Sequence, residues 1–224
     1  RRFAGIDIGT LTCRLLIADL ASGHPLIELR SDRRILRLGE GVDQTKRLSS
    51  AAMDRVIHCL QEWRNVIDGY HVEATAVVAT SAVRDAANRD EFLERVKREA
   101  GFDVEVISGE EEARRTLVGI RSGLPAGVTD MLALDIGGGS TELIIGQKLE
   151  PLELESVKLG CVSKSARHFG DGKLTAKRFA RARLAARQEL EPIQAAYQRL
   201  GWDSAAGSSG TVRAVFDAQR ELDP

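Results

Sequence analysis

Residues 131–146 contain the groups whose types and spacing are best suited to chemistry. Two apolar runs, each the length of a buried strand, enclose Asp135, the glycines Gly137–Gly139, the pair Ser140–Thr141 and Glu142. Consecutive glycines let an anion approach backbone N–H groups closely, and carboxylate oxygens suit Mg²⁺ beside a phosphate. The stretch therefore predicts a phosphate loop with metal ligands, and a glycine-rich hairpin turn without chemistry is the alternative.

A second copy of this pattern near the start of the chain favours the phosphate loop. Residues 5–12 contain Asp7, then Gly9, then small hydroxylated residues, and an apolar run follows. Asp7 and Asp135 stand about one domain length apart. The repeat predicts a duplicated domain with a cleft between the halves, each half presenting one loop to the same ligand.

Two further stretches have both a functional and a structural interpretation. Residues 205–211 form a third small-residue loop, expected to enter a helix at about Val212, where free N–H groups favour anions. After a predicted strand, Ser108 and Glu111 fit a capping box, which explains acids in a first helical turn without chemistry. Glu112 lies one residue further round the helix and could face the end of the strand, so both interpretations remain open at this point.

Composition limits the possible classes of protein. The 224 residues are 43% hydrophobic and 29% charged with a net charge of −1, which fits one large or two small globular domains and gives no general attraction to DNA or membranes. No apolar run is long enough to cross a bilayer. Three widely spaced cysteines indicate buried thiols in a reducing cytoplasm, and four scattered histidines argue against zinc.

The remaining pattern predicts an α/β protein in which strands and amphipathic helices alternate. A boundary is expected within Ser122–Thr129, giving domains at residues 1–124 and 125–224, the second of them incomplete. A long helix over Thr175–Leu200 should be kinked or divided at Pro192. Between Lys158 and Arg199 there are ten Lys or Arg against three Asp or Glu. This run, which includes Arg178, Arg181 and Arg187, is either a solvated face or an electropositive wall for a long anion.

Several segments together resemble a known family. The loops at 7–10, 135–141 and 207–211 are similar to the phosphate and nucleoside motifs of the actin, Hsp70 and sugar-kinase superfamily. More specifically, residues 79–88, 107–113 and 159–163 resemble the exopolyphosphatase and guanosine-pentaphosphatase family, in order and at family-like spacing. The resemblance implies two ribonuclease-H-like (actin-like ATPase) lobes with the active site in the cleft between them. It also implies a homodimer that acts on polyphosphate or guanosine pentaphosphate with Mg²⁺. The charge and the cysteines add the expectation of a cytoplasmic protein that binds neither DNA nor membranes.

The resemblance also assigns roles to particular residues. Glu112, which directly precedes the alanine of the Glu-Glu-Ala run, takes the place of the catalytic base and resolves the earlier alternatives in favour of chemistry. The metal ligands implied are Asp7, Asp135 and Glu142. The phosphate-binding residues implied are Thr10, Thr12, Arg14, Arg84, Gly137, Gly138, Ser140, Gly207, Ser209 and Gly210.

The chain departs from the family pattern in its first loop, and rival functions stay open. The family's Gly-Ser-Asn-Ser is here Gly9–Thr12, with Leu11 in place of an amide donor, so fewer phosphate contacts are expected. The rivals are an ATP-dependent kinase or ATPase of the superfamily and a non-catalytic sensor of the same ligands. The sequence does not choose between polyphosphate and guanosine pentaphosphate, because both present a terminal phosphoanhydride.

Overall fold

The computed structural model describes residues 1–125 and 130–222 and divides into two compact units, Arg1–Ile107 and Ser108–Pro224. This division falls earlier than the predicted 124/125, and residues 126–129 of the predicted boundary lie outside the described residues. The reason for the difference is the helix Gly109–Ser122, which buries Ala113 and Leu117 among strands of the second unit.

The first unit alternates strands and helices after an initial three-stranded meander. Its elements are β1 (Arg2–Ile8), β2 (Thr12–Asp19), β3 (Ile27–Ile35), α1 (Val42–Thr45), α2 (Ser50–Gly69), β4 (Ala74–Ala79), α3 (Ser81–Arg84), α4 (Arg89–Ala100) and β5 (Glu105–Val106). The sheet order is β3-β2-β1-β4-β5, in which β1 to β3 are antiparallel and β4 and β5 run parallel to β1. This sheet is consistent with the ribonuclease-H-like lobe that the family resemblance implies.

Helix α2 supplies much of the core of the first unit. Ser49 caps it by accepting a hydrogen bond from the Ala52 N–H at 3.2 Å. One apolar face of the helix is buried, and its members are Met53, Val56, Ile57, Leu60, Trp63 and Ile67. Trp63 is fully buried yet donates its indole N–H to Asp32 on β3 at 3.1 Å, so the helix is joined to the sheet by a polar contact as well as by packing.

The second unit repeats the meander with a longer helical crossover. Its elements are α5 (Gly109–Ser122), β6 (Asp130–Ile136), β7 (Thr141–Gln147), β8 (Glu150–Val157), α6 (Cys161–Phe169), α7 (Ala176–Leu200), β9 (Ser204–Ser208) and α8 (Ser209–Leu222). The sheet order is β8-β7-β6-β9, with β9 parallel to β6 and the other pairs antiparallel. The predicted α/β class with two related lobes is therefore confirmed.

Alternating residues place two apolar layers on opposite faces of the second sheet. On one face, Ala113 and Leu117 of α5 pack with Met131, Ala133 and Ile144. On the other, Tyr197 of α7 packs with Leu132 and Ile145 and donates its hydroxyl to the Leu143 carbonyl at 2.7 Å. Burial raises the pKa of Tyr197, so this donor keeps its proton.

Helix α7 is continuous through Pro192, so the division that the sequence offered as one alternative does not occur. It runs from Ala176 to Leu200. Ile193 and Tyr197 follow the proline and pack on the sheet, and this tertiary contact outweighs the local cost of a proline in a helix.

Among the residues described, no helix combines the length and apolarity needed to span a membrane.

The start of α6 lies against the turn between β6 and β7. A Cβ added at Gly160 would lie 2.1 Å from the Gly138 carbonyl oxygen and 2.3 Å from the Gly139 carbonyl carbon. These are backbone atoms, which cannot rotate away. Only glycine at this position allows so close an approach.

We therefore expect Gly160→Ala to lower the free energy of unfolding by about 1–3 kcal/mol, the usual cost of overpacking. Urea denaturation followed by far-UV circular dichroism measures the change. Gly119→Ala is the matched control: it meets no atom within 4 Å and lies inside α5, so stability should hold or rise. Wild-type stability of Gly160→Ala would contradict the close packing of α6 on the turn.

Candidate active site

The two units close their first hairpins with the same turn. In the first unit the Gly9 N–H donates to the Thr12 carbonyl at 3.0 Å, and in the second the Gly137 N–H donates to the Ser140 carbonyl at 2.9 Å. Each turn therefore spans four residues, Gly9–Thr12 and Gly137–Ser140, between antiparallel strands. The repeat predicted from the sequence is present in backbone geometry.

The N-terminus of α6 fixes the direction of the peptide groups in the second turn. The Cys161 N–H donates to the Gly137 carbonyl, and the Val162 N–H to the Gly138 carbonyl, both at 2.9 Å. In a trans peptide the carbonyl and the following N–H point in opposite directions. The N–H groups of Gly138 and Gly139 therefore point away from α6, which is the orientation an anion-binding turn requires.

A row of four polar side chains crosses the second sheet beside this turn. Ser208, Asp135, Glu142 and Ser156 are successive partners in the register of β9, β6, β7 and β8. The Ser208 hydroxyl donates to Asp135 Oδ2 at 2.9 Å, and the Ser156 hydroxyl donates to Glu142 Oε1 at 2.8 Å. We call these four residues the polar row. Its two serines orient the two predicted metal ligands.

Ser156 and Ser208 were not among the predicted site residues. Ser156 lies outside every motif, and the motif at 207–211 that contains Ser208 does not indicate a contact with a metal ligand. The only signal that could have identified them is strand register, which places each of them opposite a predicted acid. That register joins residues far apart in the chain, since Ser156 lies 14 residues from Glu142 and Ser208 lies 73 residues from Asp135.

The central pair of the polar row has the electrostatics of a cation site. Asp135 and Glu142 lie directly opposite each other on neighbouring strands, where like charges repel, and Glu142 is only 2% exposed. No group of three or more His, Cys, Asp or Glu side chains suited to a metal occurs among the described residues. Mg²⁺ commonly uses one or two carboxylates together with water and substrate phosphates, so the pair fits this ion.

Glu112 lies on the helix that covers the same face of the sheet. Asp135 alternates along β6 with Met131 and Ala133, which pack against Ala113 of α5. Leu117 contacts Gly146, near the end of β7 distant from the glycine turn, and the chain enters β6 at that same distant end. The first turn of α5 therefore points toward the turn-proximal end of the sheet. Glu112 is half-buried there, whereas Glu110 is exposed.

The predicted capping box at the start of α5 forms only in part. The Ser108 hydroxyl accepts from the Glu111 N–H at 3.1 Å, as expected. The Glu111 carboxylate does not return to Ser108 in the way a capping box requires. It accepts a hydrogen bond from Arg115 Nε at 2.6 Å, one turn further along. An ion pair at i,i+4 spacing replaces the reciprocal cap.

The first unit places its predicted site residues around its own turn. Asp7 is paired in register with Arg14, so an acid and an exposed base occupy the positions that two acids occupy in the second unit. The Thr10 carbonyl accepts from the Gly39 N–H at 2.9 Å, and the Thr12 carbonyl closes the turn itself. Both threonines thus shape the loop through their backbone.

Arg84 ends the short helix α3 that follows β4. Its Nη1 donates to the Ile107 carbonyl at 2.8 Å, which orients the guanidinium at the end of β5. Asn88 ends the same family-like motif and is buried. Its amide bonds both the N–H and the carbonyl of Leu48, at 2.9 and 3.0 Å, so this residue has a structural role.

The third predicted loop is not a loop. Gly207 lies within β9, and Ser209 and Gly210 open α8 directly after that strand rather than at about Val212. A Cβ at Gly207 would lie 2.5 Å from Val212 Cγ1, and the Ser209 hydroxyl donates to the Ile136 carbonyl at 2.8 Å. These contacts dock α8 on the sheet. Whether the three residues also contact phosphate stays a prediction.

Comparisons with known proteins agree with the motifs. A model of the Ppx/GppA phosphatase family matches residues 16–223. A guanosine-5'-triphosphate,3'-diphosphate pyrophosphatase of Aeromonas hydrophila is 39% identical over 213 residues, which cover 95% of this chain and 42% of that relative. The chain therefore spans about two fifths of the length of this curated relative.

Solved structures match at similar identity. An exopolyphosphatase from Cytophaga hutchinsonii has a TM-score of 0.87 at 30% identity, and the match covers 100% of this chain and 72% of that one. The Ppx/GppA family member of Aquifex aeolicus has a TM-score of 0.77 at 33% identity, with coverage of 100% and 71%. Together with the glycine turn, the polar row and the motifs that carry them, these matches show that the chain belongs to the Ppx/GppA phosphatase family.

Proposed function

We propose that the protein hydrolyses a terminal phosphoanhydride and releases orthophosphate from inorganic polyphosphate, guanosine pentaphosphate or both. The observation that carries the proposal is the polar row beside the glycine turn, on the sheet face covered by the helix of Glu112. Membership of the Ppx/GppA phosphatase family supports the same reaction class. The named relatives act on phosphoanhydrides of both kinds, which supports both substrates.

In the proposed reaction, Glu112 is the general base. The oxygen of a water molecule bonds to the terminal phosphorus, the bridging P–O bond breaks, and the proton of the water passes to the Glu112 carboxylate. The remaining phosphate chain or nucleotide leaves with the electrons of the broken bond. The N–H groups of Gly138 and Gly139 hold terminal phosphoryl oxygens in place, since phosphoryl transfer depends mainly on positioning and charge stabilisation.

Asp135 and Glu142 would hold Mg²⁺ in this scheme, with Ser208 and Ser156 fixing their orientation. The ion supplies charge neutralisation at phosphoryl oxygens when bound. The Ser208 and Ser156 hydroxyls restrict rotation of the two carboxylates, so the oxygens that remain free for the ion keep a fixed orientation.

Other assignments rest on family membership and remain proposals. Arg14 and Arg84, with the turn containing Thr10 and Thr12, are proposed phosphate ligands, and Asp7 is proposed as a further metal ligand. The exposed side chain of Arg14 and the anchored guanidinium of Arg84 suit this role. Gly137, Ser140, Gly207, Ser209 and Gly210 complete the proposed set. A homodimer and a cytoplasmic location also stay predictions.

Purified protein with Mg²⁺ should release orthophosphate from tripolyphosphate, long-chain polyphosphate or guanosine pentaphosphate without any acceptor. A malachite-green assay of all three substrates, with ATP as the comparison, measures this. Phosphate transfer from ATP to a sugar or acid, with no release from the other substrates, would instead identify a kinase. Tight binding of guanosine pentaphosphate without release would identify a sensor.

Asp135→Asn should lower turnover and shift the Mg²⁺ titration to higher concentration, because an amide oxygen carries no charge to hold the ion. Ser208→Ala is a milder variant for comparison, since it keeps the Asp135 carboxylate and removes only the hydrogen bond to it. Its loss of metal affinity should be smaller, within roughly 10- to 100-fold. If Asp135→Asn keeps the wild-type rate and an unchanged Mg²⁺ titration, Asp135 and Glu142 do not form the metal site.

Glu112→Gln should lower turnover by about two to four orders of magnitude, the usual contribution of a positioned general base. Substrate affinity should hold or tighten, because a carboxylate near a polyanion is repulsive in the ground state. Glu110→Gln, two residues earlier and exposed, is the matched control and should be nearly silent. If Glu110→Gln is inactive and Glu112→Gln is active, the general base is Glu110 and the proposed assignment to Glu112 is wrong. Steady-state kinetics at saturating Mg²⁺ distinguishes the two.

A further inference from the structure

A basic cavity lies at the opposite end of α6 from the glycine turn. It has a volume of about 340 Å³ and is formed by the last turn of α6, the following link and the first turns of α7. Its charged and titratable lining residues are Arg167, His168, Asp171, Arg178 and Arg181. Three arginines therefore face one carboxylate, which leaves an excess of positive charge in a concave site.

The single carboxylate of the cavity is already paired. Both oxygens of Asp171 accept from the Arg178 guanidinium, with the Nη2–Oδ2 distance at 2.8 Å. This bond lowers the pKa of Asp171 to about 2, so the pair stays ionised at neutral pH. Arg178 is thereby committed to shaping the link, and the positive charge available to a ligand comes from Arg167 and Arg181.

The walls of the cavity are held by contacts between α6 and α7. The rings of Phe169 and Phe179 lie 4.9 Å apart, and Lys164 donates to Glu189 at 3.2 Å. His168 lines the cavity, and its Nε2 is shielded from solvent with no hydrogen-bond partner among the described residues.

Helix α6 connects this cavity to the candidate active site within one unit. Its first residue, Cys161, is bonded to the glycine turn, and Arg167 and His168 lie in its last turn. Nine helical residues span about 13 Å at 1.5 Å each. A ligand whose terminal phosphate sits at the turn reaches the cavity only if it is an extended chain of several phosphates.

We propose that the cavity lined by Arg167, His168 and Arg181 is a distal subsite for the body of a condensed-phosphate chain. The inference rests on the proposed function and narrows it, because a distal subsite favours long polyphosphate over tripolyphosphate. Guanosine pentaphosphate, which is short, gains nothing from it. Charge-assisted hydrogen bonds from the two arginines to phosphoryl oxygens provide the binding.

The test is the double variant Arg167→Gln/Arg181→Gln. Its affinity for long-chain polyphosphate, measured by isothermal titration calorimetry, should fall roughly 10-fold or more, because each charge-assisted bond is worth a factor of this order. The KM for long chains should rise in parallel, while kcat and the KM for tripolyphosphate stay unchanged. Added salt should reduce the wild-type preference for long chains.

Arg183→Gln/Arg187→Gln is the matched control. It removes the same charge from α7, but Arg187 lines a separate apolar groove with Leu184 and Trp202, and neither arginine lines the cavity. The control should keep wild-type affinity for long chains. Equal losses in both double variants, equal losses on long and short substrates, or no loss at all would each overturn the subsite. Absence of phosphate release by the wild-type protein would reject the proposed function alone, since calorimetry still decides the subsite.

Discussion

The register of the second sheet is the constraint on which the candidate site depends. Asp135, Glu142, Ser156 and Ser208 come from four strands, and only one pairing of those strands aligns them on one face. A slip of one residue in any pair would turn a member of the row to the opposite face, into the apolar layer beneath α7. The apolar residues that alternate with the acids fix this register, since Ala133 and Ile144 must stay under α5.

The two units share the same backbone turn and differ in the charged side chains beside it. Each has a four-residue turn closed by a glycine N–H, and each has an aspartate at the end of the strand before it. In the first unit the residue opposite that aspartate is Arg14, and in the second it is Glu142. The backbone geometry of the turn is therefore the same in both units, and the residue opposite the aspartate, Arg14 or Glu142, sets the charge beside it.

The same separation of roles applies to the basic residues of α6 and α7. In the sequence they form one run with a large excess of positive charge. In the structure Arg178 is bonded to Asp171, Lys164 is bonded to Glu189, and Arg187 borders an apolar groove. Only part of the run surrounds a cavity. The basic run is therefore divided among distinct environments, because a helix distributes successive side chains around its axis.

The burial predicted for the three cysteines is found for two of them. Cys13 and Cys59 are buried as predicted, and burial raises the pKa of both thiols, that of Cys59 to about 11. Cys161 is only partly buried, because its position at the start of α6 is set by the contact with the glycine turn.

The sequence by itself determined the elements that local chemistry specifies. The glycine turns, the Ser49 and Ser108 caps and the apolar face of α2 follow from φ/ψ preference, orphan N–H groups and periodicity, which need no distant partner. Tertiary structure decided the rest. It kept α7 whole at Pro192, made residues 204–208 a strand, moved the unit boundary before α5, and brought Ser156 and Ser208 to the acids. Each of these depends on packing or pairing between segments far apart in the chain, and such contacts leave no signal within the segment itself.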